Sequence, residues 1–177
     1  MSRTGGRSHE GGGSDRPAND TANDTAYDTA CDISGYARSV RLGPDESRRR
    51  FKAARVVRLA TSDAHGRPHA VPVTFALDGE TLYFAVDHKP KRTHDLRRLR
   101  NISENPQVAL VADDYADDWT TLWWTRADGH AAVIGDDSER AHALGMLQAK
   151  YPQYREQPPD GPVVAVTVTR WSGWSYS

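Results

Sequence analysis

Residues 56–75 read Val-Val-Arg-Leu-Ala-Thr-Ser, then Asp-Ala-His-Gly-Arg-Pro, then His-Ala-Val-Pro-Val-Thr-Phe. The first group is β-branched and apolar enough for a strand, and the Gly66 to Pro68 segment predicts a turn. From His69 to Leu77 every second residue is a large apolar one, as in a strand with one buried face. Pro72 has no backbone N–H, so it marks an edge or a bulge. The stretch predicts an antiparallel hairpin.

The segments outside this hairpin continue the pattern. Asp78-Gly79 predicts a turn into a third strand that ends at Val86. A helix capped by Thr93 is predicted to end before Asn105-Pro106. Further strands are predicted over residues 107–112 and 163–170 and on both sides of a turn at Asp128-Gly129 within 119–134, with helices over 47–54 and 138–151. Six or seven antiparallel strands with two or three short helices predict a mainly β fold, a closed or split barrel with helices packed on its openings.

The first forty residues differ in composition from the rest of the chain. They include six Gly and a four-residue repeat, Asn-Asp-Thr-Ala and its variants, from Asn19 to Ser34. A helix here would stack like charges four residues apart, so disorder is the better prediction. We therefore expect a disordered tail over residues 1–41 and one folded domain over 42–177. The lone Cys31 lies in this tail and is given no role.

Composition excludes several classes of protein. The 177 residues include 23 basic and 24 acidic ones, and this balance argues against a dedicated nucleic-acid binder. No stretch approaches the roughly 20 apolar residues that span a bilayer. No apolar segment of a secretory signal follows Met1. We expect a cytoplasmic protein with neither a membrane nor a nucleic-acid partner.

Common catalytic motifs are missing from the sequence. It contains no P-loop, no dinucleotide-binding glycine pattern, no nucleophile elbow and no zinc-protease motif, which weakens hydrolytic and ATP-driven interpretations. The acidic loop from Asp113 to Asp118 lacks the spacing of an EF-hand, so no metal site is predicted. No catalytic residue is assigned.

Positive charge is concentrated between His88 and Arg100, with six basic residues and one acidic residue. Lys89, Lys91 and Arg92 stand where a predicted strand gives way to a predicted helix. Clustered cations and helix-start amides together bind phosphorylated ligands. A solvated helix face and contact with a nucleic-acid backbone are the alternatives.

These residues and their order resemble the pyridoxamine 5'-phosphate oxidase-like split-barrel family. The resemblance runs through the Gly-x-Pro turn, the Val71-Pro-Val strand, Asp78-Gly-Glu-Thr-Leu-Tyr-Phe, Lys89-Pro-Lys-Arg-Thr-His-Asp-Leu, and Asn105-Pro-Gln-Val. The ending Arg170-Trp-Ser-Gly-Trp-Ser-Tyr is similar to the actinobacterial branch of deazaflavin-dependent enzymes, whose cofactor is coenzyme F420.

The resemblance implies an FMN-binding split barrel, a homodimer with the site at the subunit interface, and an oxidoreductase. Coenzyme F420 would transfer hydride to a small organic substrate. The alternatives are an FMN-dependent oxidase or reductase and a non-catalytic flavin or haem carrier, for which His88 or His94 would be the axial ligand. The substrate motif near the end of true pyridoxamine phosphate oxidases is not recognisable here, so vitamin B6 oxidation is not expected.

The resemblance also implies site residues by position. Lys91 and Arg92 would contact the phosphate, with Lys89 beside them. The cofactor ring would lie against Val73 and Thr74 on the second strand and Ala85 and Val86 on the third. Trp123 or Trp124 would reach the site from near the partner subunit.

Overall fold

A computed structural model describes residues 39–86 and 96–176. The strands are β1 (Ser39–Leu42), β2 (Val57–Ser62), β3 (Pro68–Val73), β4 (Ala76–Asp78), β5 (Thr81–Ala85), β6 (Gln107–Asp114), β7 (Trp123–Val133) and β8 (Val163–Tyr176). The helices are α1 (Pro44–Ala53), α2 (Arg97–Glu104), α3 (Asp137–Lys150) and α4 (Gln153–Glu156), and a 3-10 turn covers Trp119–Thr121.

All eight strands belong to one sheet, and every neighbouring pair is antiparallel. The order is β3-β2-β6-β7-β8-β5-β4, and β1 also pairs with β8. The mainly β prediction is confirmed, and residues 39–86 and 96–176 form eight strands where the sequence predicts six or seven. Because β8 has 14 residues, it is long enough to pair with β7, β5 and β1 in turn.

The main core lies inside the curved sheet. Leu59, Phe84 and Leu110 point inward from three strands and are fully buried. Helix α1 adds Phe51, whose ring meets that of Phe75 edge-on at 5.1 Å between centroids. This helix therefore packs against the main core through Phe51.

A second, smaller core lies between the helices α3 and α4 and the strands β4, β5 and β8. Its buried members are Ala76, Tyr83, Ala85, Ala143, Leu147, Tyr151, Tyr154 and Val163. Ala143 and Leu147 of α3 and Tyr154 of α4 pack against Ala76, Tyr83, Ala85 and Val163 of the strands, so the helices bury this face of the sheet.

The predicted β2–β3 hairpin is present, with Val57 opposite Val73 and Ser62 opposite Pro68. Gly66 has φ +74°, which a residue without a side chain adopts freely. The Asp63 carboxylate accepts from the backbone N–H groups of His65 and Arg67 at 2.9 and 3.0 Å. The bond from the Arg67 amide is the main reason that the pKa of Asp63 is lowered. Asp63, the first residue of the turn, therefore stabilises the turn through these hydrogen bonds.

The single strand predicted over residues 69–77 is divided in the structure. Strand β3 ends at Val73 and β4 begins at Ala76. At Phe75 the backbone N–H donates to the Tyr151 hydroxyl at 3.1 Å, and that hydroxyl lies 2.9 Å from the Phe75 carbonyl oxygen and 2.8 Å from that of Arg55. The backbone here bonds to a side chain 76 residues away, so the strand is interrupted.

The hairpin predicted at Asp128-Gly129 is wrong, because β7 runs through both residues to Val133. The register with β8 shifts at this point, which is a β-bulge. A Cβ at Gly129 would lie 2.3 Å from the carbonyl oxygen of Thr167. This glycine therefore permits close backbone approach, whereas Gly79, with φ +57°, does form the predicted turn.

Two further elements lie outside the predicted boundaries. Strand β1 begins at Ser39 and pairs with β8, three residues before the predicted domain start at Leu42. Helix α4 follows Pro152, where the sequence indicates only the end of a helix. The tail prediction for residues 1–38 falls outside the described residues. Within the described ranges, no helix has the length and apolar character needed to cross a membrane.

We expect Gly129→Ala to lower the free energy of unfolding by about 1–3 kcal/mol, because the added methyl group would displace the β8 backbone. Urea unfolding followed by tryptophan fluorescence measures this change. The matched control is Gly135→Ala, whose Cβ would meet no atom within 4 Å. Equal stability of the two variants would contradict the assignment of Gly129 to a close-approach position.

Candidate functional site

The structure brings Thr74 and Ala85 to one end of the β4–β5 hairpin. Ala76 is the cross-strand partner of Tyr83, so Thr74 lies two residues before this pair and Ala85 two residues after it. Ala85 belongs to the second core. The Thr74 hydroxyl lies 2.6 Å from the hydroxyl of Tyr154, which belongs to the same core. These two predicted ring-binding residues therefore share one neighbourhood.

The other two predicted ring-binding residues flank this neighbourhood. Val73 is 9% exposed and faces the main core, so it forms the inner wall behind Thr74. Val86 is half-buried, and its N–H donates to the Pro162 carbonyl at 2.9 Å. A Cβ at Gly161 would come within 2.7 Å of the Val86 carbonyl oxygen. The end of β5 is thus fixed against the segment that precedes β8.

The predicted phosphate-binding residues Lys89, Lys91 and Arg92, together with His88 and His94, lie outside the described residues. Their roles stay predictions.

Described cations continue the basic run into the first turn of α2. Arg97 and Arg98 open this helix. The pKa of His69 is lowered, first by burial and then by the positive charges of Arg97 and Arg98. The beginning of α2 is therefore electropositive enough to disfavour a further positive charge, and the same field favours an anion.

The two adjacent tryptophans face opposite sides of β7. Trp123 packs against the main core, and the Arg50 guanidinium lies 5.7 Å from its ring centroid. Trp124 is the cross-strand partner of Trp174 on the other face. Both residues lie on β7, between β6 and β8 in the sheet. Contact of either tryptophan with a cofactor across a subunit interface stays a prediction.

Two tyrosines that the sequence did not single out bond to Thr74 and Phe75. Tyr151 bonds to Phe75 on both the N–H and the C=O side, and Tyr154 bonds to Thr74. Their ring centroids are 5.5 Å apart. Burial raises the pKa of Tyr151, so its hydroxyl stays protonated. No local pattern signals these contacts, because the partners lie about eighty residues apart.

Lys150 packs beside this tyrosine pair. Its Nζ lies 3.6 Å from the centroid of the Phe75 ring and donates to the Lys52 carbonyl at 3.0 Å. Burial, helped by the charges of Arg55 and Lys52, lowers the pKa of Lys150 to about 8. The partly buried ammonium group of Lys150 therefore lies next to the interruption between β3 and β4.

An open groove of about 650 Å³ lies on the outer face of the sheet, across β2, β6, β7 and β8. Its polar lining includes Ser62, Asn105, Gln107, His130 and Arg170. Ser62 ends β2, whereas Val57, opposite Val73, begins it. Within one chain the groove is therefore separated from Thr74 by the length of β2.

The model of the pyridoxamine 5'-phosphate oxidase family matches residues 44–175. The chain belongs to the pyridoxamine 5'-phosphate oxidase family. The match covers strands β2 to β7 and β8 as far as Ser175. The resemblance drawn from the sequence is confirmed at the level of the family.

Solved structures share the fold at low sequence identity. An FAD-binding protein of Mesorhizobium loti is 21% identical with a TM-score of 0.61, over 78% of this chain and 99% of that one. The haem storage protein of Vibrio cholerae is 20% identical with a TM-score of 0.58, over 76% and 95%. These likenesses confirm the split-barrel fold.

A curated relative matches a shorter segment at higher identity. It is the 5a,11a-dehydrotetracycline/5a,11a-dehydrooxytetracycline reductase of Streptomyces rimosus, 42% identical over 57 residues. The matched segment spans 32% of this chain and 39% of the reductase. The chain therefore covers well under two thirds of this relative.

We expect Tyr151→Phe to lower the free energy of unfolding by about 1–3 kcal/mol, because it leaves the buried N–H of Phe75 without its acceptor. Thermal and urea unfolding measure the loss. Tyr115→Phe is the control, since Tyr115 is 65% exposed in the single chain and the change removes only its hydroxyl, so this variant should stay within about 0.5 kcal/mol of the wild type. A loss in Tyr151→Phe no larger than in this control would show that the Phe75 backbone does not depend on the phenol.

The lowered pKa of Lys150 predicts that the free energy of unfolding rises at alkaline pH. Its pKa in the folded chain, about 8, lies below the ordinary lysine value of about 10.4. Between these values the unfolded chain binds more protons, so the free energy of unfolding increases as the pH rises through this window. After allowance for solvent screening, we expect the wild type to gain about 1 kcal/mol relative to Lys150→Met. Urea unfolding at a series of pH values measures this difference.

The control for this experiment is Lys52→Met. Lys52 is exposed, and burial of Lys150 itself is the main cause of the lowered pKa. Lys52→Met should therefore retain most of the alkaline gain. If the difference in free energy of unfolding between the wild type and Lys150→Met does not change with pH across this window, the lowered pKa of Lys150 is contradicted.

Proposed function

We propose that this protein is an oxidoreductase that binds coenzyme F420 and transfers hydride to a small organic substrate. The observation that carries the proposal is that Thr74 bonds to Tyr154 while Ala85 packs in the same second core, in a member of the pyridoxamine 5'-phosphate oxidase family. The predicted basic segment begins three residues after Val86 in the sequence.

The described residues fit a flavin or deazaflavin ring. Such a ring is flat and largely apolar, with oxygen and nitrogen acceptors along one edge. Ala85 is a small buried residue of the second core, and Thr74 and Val86 beside it are half-buried. Arg97 extends positive charge from the basic segment into α2. A ring with a phosphorylated and acidic tail therefore matches both the surface and the charge.

The bound cofactor would supply the redox chemistry, and the protein would supply binding, orientation and exclusion of water. Thr74 would orient the polar edge of the ring, and Ala85 and Val86 would help to exclude water from it. Lys89, Lys91 and Arg92 would hold the anionic tail. The similarity to a reductase of Streptomyces rimosus supports reduction of an unsaturated organic compound as the reaction.

FMN is the second candidate cofactor. The family and the FAD-binding structural neighbour support a flavin, and a single phosphate would use only part of the basic segment. The same surfaces would hold the ring in both cases, so the two cofactors differ mainly in the length and charge of the tail.

We further propose that two copies of the chain form the site together. Trp119 and Tyr115, in the segment between β6 and β7, are 71% and 65% exposed. Such large aromatic side chains in one segment are typical of a surface that another chain covers. Trp124, at the beginning of β7, would then reach the cofactor of the partner.

The test is a fluorescence titration of the full chain with F420 and, separately, with FMN. We expect micromolar or tighter binding of F420 and weaker binding of FMN. The double variant Lys91→Ala, Arg92→Ala should bind F420 about ten- to a thousandfold more weakly, because it loses charge-assisted hydrogen bonds to the tail. The opposite order of affinities would assign the protein to FMN.

The matched control removes two positive charges elsewhere, in Arg41→Ala, Arg49→Ala. Both arginines are exposed on the described domain, so F420 binding should remain close to that of the wild type. Equal losses in the two double variants would contradict a specific role for the basic segment. A haem absorption band in the purified protein, with neither cofactor bound, would favour the carrier function.

A further inference from the structure

The hydroxyls of Thr74 and Tyr154 form a short polar contact at 2.6 Å. Tyr154 is 9% exposed and belongs to the second core, whereas Thr74 is half-buried. The contact therefore joins a buried phenol to the hydroxyl of a half-buried threonine.

Tyr154 has little freedom to move. It lies on α4, and the neighbouring Arg155 anchors this helix by donating to the carbonyls of Gln148 and Ala149 at 2.9 and 3.2 Å. Its ring packs against that of Tyr151, which is itself bonded to Phe75. The direction of the Tyr154 hydroxyl is thus set by packing that does not involve Thr74.

The chemistry of the two hydroxyls favours one direction for their hydrogen bond. A phenol, with a pKa near 10, is a better donor than the aliphatic hydroxyl of threonine. When Tyr154 donates to the Thr74 oxygen, the hydrogen of Thr74 cannot point back at Tyr154. That hydrogen is then available to a further acceptor on another side of the Thr74 oxygen.

We propose that Tyr154 is a positioning residue that directs the Thr74 hydroxyl as a donor toward the polar edge of the bound cofactor ring. This inference rests on the proposed function, because it takes Thr74 to touch the ring. Flavin and deazaflavin rings gain electron density at their polar edge on reduction. A donor held in place by Tyr154 therefore binds the reduced ring more tightly than the oxidised ring.

The experiment measures dissociation constants of the oxidised and the reduced cofactor, using whichever of F420 and FMN the wild type binds. The variants are Tyr154→Phe, Thr74→Val and the double variant. We expect each single variant to lose about fivefold to tenfold in affinity for the reduced form, and less for the oxidised form. Because Tyr154 acts only through Thr74, the double variant should lose no more than Thr74→Val alone.

Two controls separate positioning from a structural role. Tyr154→Phe keeps the ring that fills the second core, and its thermal unfolding reports any loss of packing. Thr74→Ser keeps a hydroxyl and should retain the preference for the reduced cofactor, together with its sensitivity to Tyr154→Phe.

The outcomes distinguish this inference from the function on which it rests. Additive losses in the double variant, or an unchanged preference for the reduced form in Tyr154→Phe, would overturn the positioning role while the cofactor site stands. Binding of neither cofactor to the wild type would overturn both.

Discussion

The pairing of β8 with its neighbours is the constraint on which the rest of the fold depends. Along β7 the register runs from Trp123 opposite Ser175 to Val133 opposite Val164. The first part of β8 also pairs with β5, and its last part pairs with β1. One strand thus joins the sheet that encloses the main core to the β4–β5 hairpin that carries the candidate site. The bulge at Asp128 and Gly129 lets so long a strand bend without losing its partners.

Local sequence signals predicted the elements whose cause is local. Gly66 and Gly79 adopt positive φ within turns of their own hairpins, and Pro44 stands at the beginning of α1. Asp128-Gly129 has the same composition as a turn but forms part of a strand, because the deciding contact comes from Thr167 on β8. A dipeptide cannot distinguish these cases, since the close approach involves a strand that is distant in sequence.

The residues of the candidate site also form two groups, those that the sequence placed and those that depend on contacts distant in sequence. The resemblance to the family placed Thr74 and Ala85 by position, and the structure brings them to one end of a hairpin. Tyr151 and Tyr154 could not be predicted, because they follow α3 and reach Phe75 and Thr74 only after the helices have packed on the sheet. The interruption between β3 and β4 has the same origin. The sequence therefore does not predict the side-chain hydrogen bonds that join the second core to the end of β3.

The position of β1 has a consequence for the layout of the chain. Ser39 is the cross-strand partner of Tyr176, so the first and last described residues of the domain lie side by side at the end of β8. A short linker between them would close the domain into a ring without moving any strand. New ends could then be opened at an exposed turn such as the one around Gly66, far from β8 in the strand order. The order of the segments along the chain is thus separable from the arrangement of the strands in space.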